Sequence, residues 1–114
     1  MGRAVAPTEI PTLAGVMRDL DQRGFTEQFT VADGRLLAIA HRASFPADQV
    51  WIWERYRFEG VSDPDDMAIV YALETGTGVR GTLVDAFGVY ADPRVGAFIR
   101  NVVLRPSARK LRLG

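Results

Sequence analysis

A chain of 114 residues, 47% apolar and 25% charged, has the length and composition of one globular domain that buries roughly 65% of its unfolded surface without staples. It contains no cysteine, which excludes disulfide frameworks, cysteine zinc sites, iron–sulfur clusters and thiol nucleophiles. The formal net charge of zero hides an asymmetry: Arg105, Arg109, Lys110 and Arg112 close the chain, so 1–104 carries 10 basic against 14 acidic residues, a balance unlike that of a nucleic-acid-binding surface.

Ile10, Leu13, Ala14, Met17 and Leu20 recur at helical spacing behind Thr8, a candidate N-cap, and Pro11 fits the first turn. The spacing predicts a helix over 9–23, with Gly24 as the stop and Phe25 folding back on Leu20. "EQFTVADGRLLAIA" reads as two strands around Asp33-Gly34, a dipeptide that tolerates the positive φ of a two-residue hairpin turn, with Phe29 and Val31 on one face. "SFPADQ" reads as a turn or a single helical turn, because Pro46 excludes helix at Phe45.

"QVWIWERYRFEG" is a third strand. Strict alternation puts Val50, Ile52, Tyr56 and Phe58 on one side and Trp51, Trp53, Arg55 and Arg57 on the other. "MAIVYALETGTGVRGTLVDAFGVY" reads as two more strands joined through "TGTG", the first apolar throughout, as a strand covered on both faces is. A helix over this run is the competing reading; its short length and a ready hairpin partner favour strand. Asp92 as N-cap and Pro93 at the first helical position predict a C-terminal helix over 93–103. The expected fold is α+β: an antiparallel sheet of about five strands flanked by an N-terminal and a C-terminal helix, both helices on one face. It forms a single domain over 1–104, with 105–114 a basic, solvated tail.

The densest chemical signal is "FEGVSDPDD", which gathers Glu59, Asp63, Asp65 and Asp66 around a glycine and a proline. A calcium loop of the EF-hand type fails at its most demanding positions, where Met67 and Ala68 stand for an oxygen ligand and the turn glycine. A well-made turn accounts for more of the residues, with Pro64 setting the backbone and the acids facing exposed amides. A magnesium site remains the alternative, with Asp85 reaching the same end of the sheet. His41 is the only histidine and pairs with no recognisable nucleophile pattern, so it reads as a solvated loop residue. Trp51, Trp53, Tyr56, Phe87 and Tyr90 read as core by default and as a pocket lining or dimer surface otherwise.

The runs "YRFEGVSDPDDMAIVYALET" and "RGTLVDAFGVYAD" resemble a family of small bacterial proteins of about this length that share "RFEG.SDPDD" and "G.LVDA.G.YAD" segments and are often labelled phosphoribosylpyrophosphate synthetase. The resemblance runs from the first helix to Asp92. It implies no site residues, and here Asp85 is followed by Ala86, Phe87 and Gly88, without the second acid and the phosphate turn of the true synthetases.

Two functional readings follow. The first is a small non-catalytic binding or interaction module without a cofactor, homodimeric through its aromatic sheet or a strand edge. The alternative is binding or turnover of a phosphorylated metabolite with a divalent ion such as magnesium. In it Glu59, Asp63, Asp66 and Asp85 hold the ion, Arg57 pairs with phosphate and Tyr90 stacks or hydrogen-bonds. No apolar run reaches the roughly 18 residues of a membrane span, so a cytoplasmic location is expected.

Overall fold

The computed structural model describes residues 12–58, 68–86 and 91–102. The order is α1 (Leu13–Gln22), β1 (Glu27–Ala32), β2 (Arg35–Ala38), β3 (Ala43–Phe45), a short 3-10 turn (Ala47–Gln49), β4 (Val50–Phe58), β5 (Ala68–Thr75), β6 (Arg80–Ala86) and α2 (Pro93–Arg100). The fold is α+β, as expected. Its sheet has six strands rather than about five, because Ala43–Phe45 pairs with β2 where only a turn was anticipated.

Local signals set most element ends. Thr12, not Thr8, caps the described helix, its side chain accepting the Gly15 N–H at 3.0 Å. Thr12 is itself extended, φ −108° and ψ 157°, the backbone of an N-cap, which sets the helix start at Leu13. At the other end Gly24 has φ 102°, and the Phe25 N–H reaches the Leu20 carbonyl at 2.9 Å, the Schellman arrangement. Asp33 and Gly34 both take positive φ, 54° and 72°, and close the β1–β2 hairpin with Ala32 opposite Arg35. Asp92 caps α2 by accepting the Arg94 N–H at 2.9 Å.

The strand order is β3-β2-β1-β6-β5-β4. All neighbours are antiparallel except β1 and β6, which run parallel through two residue pairs, Glu27 with Gly81 and Gln28 with Thr82. The sheet is therefore mixed, not purely antiparallel. It is also strongly curled. Laid flat, β3 and β4 at its two edges would stand about 24 Å apart. The chain from Phe45 to Val50 reaches at most about 18 Å when fully extended, so the edges must bend toward each other.

The bend explains the core. One cluster joins Phe29, Val31, Leu36, Ala38, Phe45, Val50, Ile69, Tyr71, Leu73 and Leu83, drawn from all the strands, and Val95, Phe98 and Val102 of the α2 region complete it. The concave face of the sheet thus wraps an interior that α2 closes. On the convex face, Leu20 and Phe25 of the α1 region pack with Val70 and Ala72 of β5, bordered by Val16, Met17, Trp53, Tyr56 and Phe58. The helices lie on opposite faces, not on one. β5 is apolar on both sides for this reason, with Ile69, Tyr71 and Leu73 facing one cluster and Val70 and Ala72 the other.

A bulge in β4 decides which residues point where. Ile52 pairs with Leu73 and Glu54 with Ala72, so Trp53 is the extra residue and the alternation reverses after it. The expected division of this strand is therefore corrected. Val50, Ile52, Arg55 and Arg57 share the concave side, while Glu54, Tyr56 and Phe58 lie beneath α1.

Candidate functional site

The β4 bulge turns Arg55 and Arg57 onto the concave side near the end of the curled sheet where β4 and β6 end and β5 begins, a region we call the mouth. Arg55 lies opposite Tyr71, and Arg57, Ile69 and Asp85 form one row across β4, β5 and β6. Side chains in register across neighbouring strands stand about 5 Å apart at Cβ, so Arg55, Arg57, Tyr71 and Asp85 share one small region of one face. Both arginines are exposed; Tyr71 is 93% buried, at 7% relative exposure.

The Tyr71 phenol is pushed up, first by burial and then by the Asp85 charge, with Arg55 and Arg57 acting in the opposite sense. Burial likewise pushes the Asp85 carboxyl up, and the Asp92 N–H donated to its Oδ1 at 3.2 Å acts against that. That bond ties β6 to the start of α2, where Asp92 also pairs with Arg94 at 3.0 Å. Among the described residues, the Tyr71 hydroxyl has no hydrogen-bond partner and Arg55 has neither a hydrogen bond nor an ion pair. Buried polar groups are nearly always paired, so a phenol left open at a mouth lined by guanidiniums is a functional signal.

Of the site residues expected from the sequence, Arg57 and Asp85 are brought into this region together. Glu59, Asp63 and Asp66 in 59–67, and Tyr90 in 87–90, lie outside the described residues, as do Asp65, Phe87 and the basic tail. Among the described residues no cluster of acidic or histidine side chains gathers as a cation site. Arg55 and Tyr71 were missed. Nothing local ties Arg55 to a partner sixteen residues away on β5, and Tyr71 sits in an apolar run where its hydroxyl was the available signal.

Two of the aromatic residues, Trp53 and Tyr56, follow the default core reading. Trp53 and Tyr56 pack beneath α1, and Arg80 stacks over Phe25 and Trp53 at 5.7 and 5.4 Å. Trp53 Nε1 donates to Glu74 at 2.7 Å. Arg23 donates through both guanidinium nitrogens to Glu54, which also accepts from the Tyr56 hydroxyl. The Arg23 hydrogen bond holds Glu54 below the usual carboxylate range. This network clamps the end of α1 to β4.

A second polar centre lies at the other end of β1. The Glu27 side chain, 2% exposed, accepts from Gln28 N at 2.7 Å, Ala40 N at 3.2 Å, His41 N at 2.9 Å and His41 Nδ1 at 2.7 Å. Burial alone would raise its pKa; the His41 ring and these N–H groups outweigh burial and hold it at about 2. His41 is thus an anchored residue rather than merely a solvated one. Its bonds pin the β2–β3 turn, where Arg42 takes φ 53°. Ser44 is directed elsewhere, its Oγ accepting from Arg35 Nε at 2.9 Å, so no His41–Ser44 pair forms.

Family models, curated proteins and solved structures yield no match to this chain. Among the described residues no helix is long and apolar enough to cross a membrane.

Proposed function

We propose that the protein is a small non-catalytic binding module whose ligand enters the mouth bounded by Arg55, Arg57, Tyr71 and Asp85. The observation that carries this reading is the Tyr71 hydroxyl, without a partner among the described residues on a residue only 7% exposed. Open ends of curled sheets are favoured ligand sites because fixed strands hold a few polar groups over an apolar floor, here Ile69 and Leu83. The chemistry supports recognition rather than turnover. Guanidiniums keep their protons at any working pH and a phenol raised above its ordinary value keeps its own, which leaves Asp85, its carboxyl pushed up by burial, as the one acid–base group of the four, with no second acid, base or nucleophile among them.

Replacing Tyr71 by Phe tests the reading without knowledge of the ligand. A hydroxyl waiting for a ligand contributes nothing to the free protein, so the thermal midpoint of Tyr71→Phe should equal or exceed that of the parent. A structural hydroxyl bonded in the fold would cost about 1 kcal/mol when removed, a fall of about 4 °C or more. Such a fall removes the observation on which the site rests.

Self-association is a second reading, favoured by β4, the longest strand, lying at an edge of the sheet with one side unpaired by any described strand. Antiparallel pairing of two such edges is the simplest closed dimer. Sedimentation equilibrium should then give twice 12.6 kDa. A single monomer mass over the whole concentration range ends this reading and leaves the mouth unaffected.

A further inference from the structure

Resting on the mouth as the binding site, we infer that the group recognised there is an oxyanion, the carboxylate or phosphate of a small organic ligand, seated between the Arg55 guanidinium and the Tyr71 hydroxyl.

Three features favour an anion over a neutral ligand. Arg55 is exposed and makes no ion pair among the described residues, so its fork of N–H donors remains available for two oxygens of one planar or tetrahedral anion. Tyr71 lies across the strand pair from it, on a residue 7% exposed, and its hydroxyl supplies an O–H donor that a charged acceptor engages more strongly than a neutral one. The acid on the same face, Asp85, lies one row further along and already accepts the Asp92 N–H. A cation or a neutral sugar would leave the guanidinium without a counter-charge.

The test is a set of two-dimensional nuclear magnetic resonance titrations of the full chain with inorganic phosphate, acetate and ribose, following the Arg55 side-chain N–H and the Tyr71 amide and ring signals. The expected result is saturable movement of these signals with at least one anion and none with ribose. Affinity should fall about tenfold or more in Arg55→Gln and in Tyr71→Phe, the loss of one charge-assisted hydrogen bond each. Response to phosphate alone identifies a phosphate ligand, and response to acetate alone a carboxylate.

Movement with ribose and with neither anion overturns the oxyanion while keeping the mouth as a site. Anion-induced shifts that survive both substitutions put the anion elsewhere and overturn it too. No saturable shift with any of the compounds also overturns it, and the Tyr71→Phe midpoint then decides separately whether the mouth stands as a site.

Discussion

Gly81→Ala should destabilise the protein by about 3 kcal/mol or more, enough to lower the thermal midpoint by on the order of 10 °C. Gly81 sits opposite Glu27 in the parallel β1–β6 pairing. A Cβ there would overlap the carbonyl oxygen and carbon of Glu27 and crowd its Cβ. A side chain can rotate away from such a clash, but a backbone carbonyl within a ladder cannot. β1 would have to move off β6, and this seam is held by only two residue pairs, Glu27–Gly81 and Gln28–Thr82. The seam joins β3-β2-β1 to β6-β5-β4, so the shared core would open with it. Calorimetry of the variant checks this. An unchanged midpoint would mean that the strands approach less closely than the geometry requires.

Acid should unfold the protein in large part through Glu27. Its carboxyl titrates at about 2 in the folded protein against an ordinary value of 4.5. A lowered pKa means that the folded state favours the ionised form. The resulting stability is fully present above about pH 5 and is lost as pH falls toward 2. Its size is on the order of 3 kcal/mol, and the side chain is too buried for solvent to screen much of it. Glu27→Gln should lower stability at neutral pH by a similar amount and flatten the slope between pH 5 and 2. Urea unfolding at several pH values measures both. A variant whose stability falls with acid as steeply as the parent's would show that other carboxylates carry the effect.

The residues at element ends illustrate how far local reading goes. Gly24 and Phe25 close α1 as the sequence predicts, Asp33-Gly34 makes its hairpin, and Asp92-Pro93 opens α2. Each is settled by backbone sterics and hydrogen bonds within a few residues. The candidate site was legible in part: Arg57 and Asp85 were singled out and fall on one row. Arg55 and Tyr71 were not, because only the pairing of β4 with β5 sets them opposite each other, and no local feature of "VWIWERYRF" marks the extra residue at Trp53 that fixes the face of both arginines. The bulge is stabilised from outside the strand: Trp53 packs against the α1 cluster and donates to Glu74, and Glu54 is gripped by Arg23.

Periodicity and capping act over a few residues, so the α+β class, the helices, most of the strands and the turn chemistry are legible in the chain before it folds. The parallel β1–β6 seam, the placement of the helices on opposite faces and the assembly of the mouth emerge only on folding. Those depend on partners far apart in the chain, such as Glu27 with Gly81 and Arg55 with Tyr71. The curl has the same origin: the short link from Phe45 to Val50 forces it only once β3 and β4 lie at opposite edges of one sheet.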